Sequence, residues 1–255
     1  EYYFVEESLG DKPFALQFAA DAAESGAIKP ETFERYFEVM KRYAQAAFDP
    51  QNHRHAVSNI SQIALLKYTS YQYDLDADRV ERLFARAQQR VDVLPRVEFH
   101  EDLGPFNVMD RGVIDFETVQ SKDGSGDASR FGPMGFDVLA GPMTGYYFPR
   151  VDGYHHKLLY EFSDDQLGAL FDMVGEEASR RSLPNPCDYM QEFMLMRTVW
   201  AAARNLGYET KAYEEPEKER FWSEFRAKIL HKVLDMYEND EPIDPRAFPD
   251  TGVAK

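Results

Sequence analysis

One short segment of the chain carries most of the residues whose types and spacing suit a reaction. His100, Asp102 and Asn107 lie close together, and Asp115 follows after a short apolar run. In phosphoryl transfer from a nucleotide, an aspartate accepts the proton of the attacking hydroxyl, while an asparagine and a second aspartate hold magnesium ions on the phosphates. The order of residues therefore predicts phosphoryl transfer, with Asp102 as the base and with Asn107 and Asp115 as magnesium ligands.

Each of these residues also has a purely structural interpretation. Asp102 fits a turn or helix-capping aspartate, and Asn107 fits a turn asparagine, because both side chains bond readily to nearby backbone. Glu117, which follows Asp115 closely, either reaches the metal or the substrate or faces solvent. The joint spacing of Asp102, Asn107 and Asp115 favours the interpretation as a phosphoryl-transfer site.

The composition limits the class of protein. A chain of 255 residues with 44% hydrophobic and 14% aromatic residues can bury a core, so we expect a folded globular protein. The formal net charge of −16 argues against nucleic acid and anionic membranes as partners. The single cysteine, Cys187, cannot form an internal disulfide, and no apolar run has the length of a membrane span. We therefore expect a cytoplasmic protein that acts on a small molecule, and the sequence indicates no oligomeric state.

Short extended segments surround the motif. Residues 97–99 are predicted to be extended, and residues 108–114 contain two apolar pairs around a polar turn, which predicts a tight hairpin. Such a hairpin would place Asn107 and Asp115 at its two ends, where both side chains can reach one ion. The Gly-rich residues 121–133 are expected to form a surface excursion.

Most of the remaining chain has helical periodicity. Apolar residues recur at helical spacing after Pro30, and a further helix is expected after Ser163, which forms a capping-box pattern with Gln166. The other predicted amphipathic helices cover residues 57–70, 77–90, 187–206 and 216–238. The predicted fold class is therefore α+β and mainly α.

The start of the chain has a different pattern. Residues 2–5 are aromatic or β-branched, which favours a strand, and Gly10 with Asp11 ends this strand as a turn. The sequence starts at Glu1 without a methionine, directly inside the strand. We therefore expect that an N-terminal portion belongs before it.

Three short motifs between residues 99 and 138 occur together in one order: His100-Glu-Asp102-x4-Asn107, Val113-Ile-Asp115-Phe-Glu117 and Gly135-Phe136-Asp137-Val138. They resemble the aminoglycoside phosphotransferase and choline kinase superfamily, the small-molecule branch of the protein-kinase-like fold. The Ile-Asp-Phe-Glu run looks like choline and ethanolamine kinases. The Gly-Pro-Met-Gly-Phe-Asp run at residues 132–137 looks like methylthioribose kinase.

The resemblance implies an architecture. Residues 11–255 would be the helical C-terminal lobe of a protein-kinase-like fold, with a small β-hairpin at the catalytic loop. Residues 1–10 would be the hinge strand from a missing N-terminal lobe, and the backbone of Phe4, Val5 and Glu6 would hold the adenine of ATP.

The resemblance also implies roles for individual side chains. Asp102 would be the catalytic base, and His100 would brace the catalytic loop by hydrogen bonding. Asn107 and Asp115, together with Glu117, would hold Mg²⁺. Asp137 looks like the family's buried aspartate, which anchors the catalytic loop through its backbone.

The activity implied is that of an ATP- and Mg²⁺-dependent kinase. The phosphate acceptor would be a hydroxyl of an amino-alcohol, a sugar or an aminoglycoside. The family's N-terminal lobe supplies a loop and a lysine that contact the phosphates, so we expect low activity from this chain by itself. The first alternative is a non-catalytic, kinase-like protein that binds a nucleotide or a partner, and the second is an all-helical interaction protein with a coincidental motif.

Overall fold

The protein is represented by a computed structural model that describes residues 9–53, 74–98, 100, 102–114, 131–147, 150–152, 155–204 and 216–247. Two elements expected from the sequence, the strand at 2–5 and the helix at 57–70, lie outside these described residues. The other expected elements fall wholly or partly within them.

Helices make up most of the described chain, and short strands occupy its middle third. The helices are α1 (Phe14–Ser25), α2 (Pro30–Ala47), α3 (Ala77–Val91), α4 (Phe136–Ala140), α5 (Thr144–Tyr147), α6 (Asp164–Arg180), α7 (Met190–Arg204) and α8 (Pro216–Glu238). The strands are β1 (Arg96–Glu98), β2 (Val108–Met109), β3 (Gly112–Val113), β4 (Phe131–Pro133), β5 (Arg150–Asp152) and β6 (His155–Lys157). The predicted class, α+β and mainly α, is confirmed.

Local sequence signals account for where several helices begin. Pro30 is at the first position of α2, where its missing N–H costs no hydrogen bond, and Glu31 lies beside the positive end of the helix dipole. At the start of α6, the Ser163 hydroxyl accepts the N–H of Gln166, and the Gln166 side chain accepts the N–H of Ser163. The predicted capping box is therefore formed, and it satisfies backbone donors that would otherwise lack a partner.

Helix α1 has no counterpart in the sequence-based assignment. It ends at Gly26, whose φ of 81° is the left-handed conformation that glycine adopts without a steric penalty. Phe14 and Phe18 on α1 are fully buried, and both rings make edge contacts with Tyr36 of α2. Packing of these aromatic rings fixes α1 against α2.

Within the part of the chain that the structure describes, the strands form three separate two-stranded antiparallel sheets, β1–β4, β2–β3 and β5–β6. The β2–β3 sheet is the hairpin predicted over residues 108–114, with Val108 opposite Val113 and Met109 opposite Gly112.

The β1–β4 sheet corrects the C-terminal end of the expected surface excursion at 121–133, of which residues 121–130 lie outside the described residues. Phe131–Pro133 is a strand, and its Gly132 lies opposite Val97. The Gly-rich local composition indicated a loop. The segment is extended because it pairs with Arg96–Glu98, which is distant in sequence, so the local pattern could not indicate the strand. Gly132 and Pro133 are buried.

Helix α7 begins slightly later than predicted. The chain first makes a 3-10 turn, Pro186–Tyr189, which is capped when the Asn185 side chain accepts the N–H of Cys187 over 3.1 Å. The helix follows at Met190 rather than at Cys187. The predicted bounds of α8, 216–238, agree with the structure, and those of α3 agree within one residue.

Helix α7 lies at the centre of the core. Residues 192–199 are all buried, and the helix packs against α3, α4 and α8. Because the helix is buried on every side, its polar side chains must find partners within the protein.

Among the residues that the structure describes, no helix is both long and apolar enough to cross a membrane.

Candidate functional site

The predicted catalytic loop, residues 100–107, connects strand β1 to the β2–β3 hairpin. Its last part is a 3-10 turn, Pro105–Asn107, in which the N–H of Asn107 donates to the carbonyl oxygen of Gly104 over 2.8 Å. Proline suits the first position of such a turn because its φ angle is already near the required value. The loop is thereby held at its C-terminal end before the hairpin begins.

Asn107 ties the loop to the hairpin. Its side-chain Nδ2 donates to the backbone carbonyl of Asp102 over 2.8 Å, and its own carbonyl accepts the N–H of Ile114 over 2.9 Å. Since the amide nitrogen serves as the donor to Asp102, the amide oxygen is the atom of this side chain that can bind a cation, and Mg²⁺ accepts oxygen ligands of this kind. The geometry fits the predicted magnesium role of Asn107.

His100 is buried, with 4% of its surface exposed. Its ring Nε2 lies 2.7 Å from the carbonyl oxygen of Ile114. Because a carbonyl only accepts hydrogen bonds, Nε2 carries the proton in this contact. The side chain therefore bridges the start of the loop and the end of the hairpin, which is the geometry expected of a bracing residue rather than of one that touches a substrate.

The Asp137 side chain binds the backbone of His100, the first residue of the loop. The carboxylate is 5% exposed, and its Oδ2 accepts the N–H of His100 over 2.7 Å. The same oxygen accepts the hydroxyl of Tyr43, from α2, over 2.6 Å. A buried carboxylate is stabilised by such donors, so Asp137 joins the loop to both α4 and α2.

Gly141 allows the loop to pack directly on the end of α4. A Cβ atom built at this position would lie 2.0 Å from the carbonyl oxygen of Leu103 and 2.4 Å from that of Asp137. Both atoms belong to the backbone and cannot move aside as a flexible side chain would. The close approach of loop and helix therefore requires a glycine here.

Asp102 is partly exposed, with 26% of its side chain accessible. Its Oδ1 lies 3.1 Å from Nη2 of Arg197, which is in the middle of α7 and is 1% exposed. The same Nη2 donates to the hydroxyl of Thr144, the first residue of α5. A buried guanidinium thus holds one oxygen of the Asp102 carboxylate, and the side chain stays partly exposed.

The described end of the predicted hinge strand lies against the hairpin. The carbonyl of Leu9 accepts the N–H of Arg111 over 2.9 Å. The neighbouring Asp110 forms a 2.5 Å ion pair with Arg35 of α2. The turn of the hairpin is therefore fixed to the segment that leads out of residues 1–8.

Several predicted site residues lie outside the described residues: Phe4, Val5, Glu6, Asp115 and Glu117. Ile114, the residue before Asp115, is described, and both its N–H and its carbonyl bond to the loop. Within the described ranges, no group of three or more His, Cys, Asp or Glu side chains is placed to hold a metal ion.

Sequence reasoning assigned no role in this site to Tyr43, Arg197, Thr144 or Gly141. Tyr43 belongs to the pattern of apolar residues at helical spacing after Pro30, which indicates packing only. The signal for Arg197 was present in the sequence, since it is the single charge among mostly apolar residues in the run 193–203. A charge in such a run is costly to bury without a partner, which marks it for attention.

The assembled loop carries a partly exposed carboxylate, Asp102, and a side-chain amide, Asn107, on backbone that is fixed at His100, Asp102 and Asn107. Such an arrangement can accept a proton from a hydroxyl and supply an oxygen ligand to a cation.

Comparisons with protein-family models, with curated proteins and with solved structures each gave no match to this chain.

Proposed function

We propose that this protein is an ATP- and Mg²⁺-dependent small-molecule kinase and that the described residues form the C-terminal lobe of a protein-kinase-like fold. The observation that carries the proposal is the loop geometry around Asp102. The Asn107 amide bonds to the Asp102 carbonyl over 2.8 Å, and the Asp102 carboxylate stays partly exposed. The two residues that the sequence pairs as base and metal ligand are therefore held beside each other by a direct hydrogen bond.

In this proposal the chain contributes mainly positioning. Asp102 orients the acceptor hydroxyl and takes up its proton as the oxygen attacks the terminal phosphate of the nucleotide. His100 and Asp137 do not touch the reacting atoms, but they hold the loop that presents Asp102. Fixed backbone of this kind reduces the cost of bringing acceptor and base into the reactive geometry.

The proposed cation site consists of the Asn107 amide oxygen together with Asp115 and Glu117. Bound Mg²⁺ would neutralise negative charge on the phosphates during transfer. The engagement of the Asn107 nitrogen as a donor to the Asp102 carbonyl supports this assignment, because it leaves the amide oxygen as the atom to bind the cation. The adenine would be held by the backbone of Phe4, Val5 and Glu6, and the contact between Leu9 and the hairpin supports a hinge next to the catalytic loop.

An acceptor screen tests this function. The full-length protein is incubated with ATP, with and without Mg²⁺, and with choline, ethanolamine, simple sugars and aminoglycosides, and formation of ADP and of the phosphorylated product is measured. We expect ADP formation that requires both Mg²⁺ and one class of acceptor.

The same screen separates the alternatives when nucleotide binding is measured by calorimetry. Mg²⁺-dependent nucleotide binding without product from any acceptor would support a non-catalytic, kinase-like binding protein. Absence of both binding and product would contradict the kinase proposal and its nucleotide-binding alternative.

A further inference from the structure

Arg197 is the most deeply buried charged side chain near the site. It is 1% exposed, and it ranks among the largest fully buried side chains of the described chain. Its neighbours along α7, Met194, Leu195 and Met196, are apolar and buried as well. Transfer of a guanidinium into such surroundings is costly unless partners compensate, and an apolar residue would often be at least as stable there. Packing alone therefore does not account for an arginine at this position.

The contacts of Arg197 connect two segments of the site. Nη2 lies 3.1 Å from Oδ1 of Asp102 and also donates to the hydroxyl of Thr144. Thr144 in turn packs on the loop, since a Cβ atom at Gly104 would lie 3.2 Å from Cβ of Thr144. Thr144, which packs against the loop, therefore fixes the Arg197 guanidinium through its hydroxyl, and the guanidinium fixes the Asp102 carboxylate.

We infer that Arg197 is a positioning residue for Asp102, with Thr144 holding the guanidinium in place. This inference rests on the proposed kinase function. Arg197 acts through Asp102: it holds one carboxylate oxygen, so that the carboxylate keeps a constant orientation toward the acceptor hydroxyl. A guanidinium is suited to this task because it is planar, permanently charged and rigid in its hydrogen-bond directions.

A positioning role predicts a specific kinetic pattern. Arg197→Met keeps much of the side-chain length and removes the charge, so we expect kcat to fall by roughly 30- to 100-fold, since small misplacement of a catalytic group has effects of this size. The KM for ATP should change by no more than about twofold, because Arg197 does not contribute to ground-state nucleotide binding in this account. Arg197→Lys keeps the positive charge but lacks the planar, forked set of N–H donors of a guanidinium. It should therefore retain part of the kcat that Arg197→Met loses.

Two further variants keep the test informative if Arg197→Met folds poorly. Thr144→Val removes only the hydroxyl, and a decrease in kcat of about threefold or more is expected. Arg79→Met is the matched control, because Arg79 forms its ion pairs with Asp235 and Glu238 of α8. It should leave kcat and both KM values within about twofold of the wild type. Unchanged kcat in Arg197→Lys and Thr144→Val would overturn the inference.

A double-mutant cycle gives a readout that does not require activity. The unfolding equilibrium is measured for the wild type, Arg197→Met, Asp102→Asn and the double variant. We expect non-additivity of at least about fivefold in the unfolding constant, because residues in direct contact are energetically coupled. Additive effects in an active enzyme would overturn the positioning role alone. Absence of phosphoryl transfer by the wild type would overturn the proposed function, and the positioning role with it, even if the pair is coupled.

Discussion

The carboxylate of Asp137 accepts the backbone N–H of His100 over 2.7 Å, which joins helix α4 to the first residue of the predicted catalytic loop. The same Oδ2 accepts the hydroxyl of Tyr43 over 2.6 Å. One buried carboxylate thus connects the loop, α2 and α4. The orientation of Asp102 depends on this connection, because the loop that carries it starts at His100.

Replacement of Asp137 should therefore destabilise the fold before it affects the chemistry. We expect Asp137→Asn to lower the free energy of unfolding by about 2–4 kcal/mol, since it removes a buried charge that accepts two hydrogen bonds. Tyr43→Phe, which removes one of these bonds, should cost about 1–2 kcal/mol. Urea denaturation of the two variants measures both values. Equal midpoints for Asp137→Asn and the wild type would show that this carboxylate does not anchor the loop.

The contact between the loop and the end of α4 gives a second prediction. Gly141→Ala places a methyl group against the carbonyl oxygens of Leu103 and Asp137, so we expect a loss of about 3 kcal/mol or more through forced backbone movement. The matched control is Gly168→Ala within α6, where a Cβ atom would meet nothing within 4 Å. This substitution should stabilise the protein by about 0.5–1 kcal/mol, because alanine favours the helix. Similar effects of the two substitutions would contradict the close approach.

The capping box of α6 is testable in the same assay. Ser163→Ala removes the hydroxyl that accepts the N–H of Gln166, and a loss of about 1 kcal/mol is expected. Ser179→Ala, an exposed change at the other end of α6, should be neutral or slightly stabilising because alanine is the better helix former. If Ser163→Ala lowered the free energy of unfolding no more than Ser179→Ala does, the cap would contribute nothing to stability.

The reactivity of Cys187 depends on its environment. Burial raises the pKa of the Cys187 thiol to about 11. Because the thiolate is the reactive form, only about one thiol in a thousand is ionised at pH 8. Labelling with a thiol reagent at this pH should be on the order of a hundredfold slower in the folded than in the unfolded protein, in which cysteine has its ordinary pKa. The ratio of the two labelling rates measures this directly, and equal rates would contradict the buried environment.

Features that depend on neighbouring residues were predictable from the sequence. The capping box needs only Ser163 and Gln166, and the β2–β3 hairpin is encoded within residues 108–114, so both were predicted correctly. The amphipathic pattern of residues 216–238 likewise gave the bounds of α8.

Features that depend on tertiary contacts were not predictable in this way. Strand β4 exists through pairing with the distant strand β1, and its local composition indicates a loop. Arg197 and Asp102 are 95 residues apart, and Tyr43 and Asp137 are 94 apart. A single sequence carries no signal that pairs them, although a lone charge in an apolar helix marks Arg197 as a residue in need of a partner.

The central claim is that Asp102 is the base of a phosphoryl-transfer site. Its most direct test compares full-length wild-type protein with Asp102→Asn, measuring kcat with the best acceptor and the Kd of the Mg²⁺-nucleotide complex. The matched control is Asp172→Asn on the exposed side of α6, which should have the same kcat and Kd as the wild type. The account predicts that Asp102→Asn lowers kcat by roughly 10²- to 10⁴-fold while the Kd changes by no more than about twofold, because the lost interaction belongs to the transition state. Unchanged kcat in Asp102→Asn would contradict it.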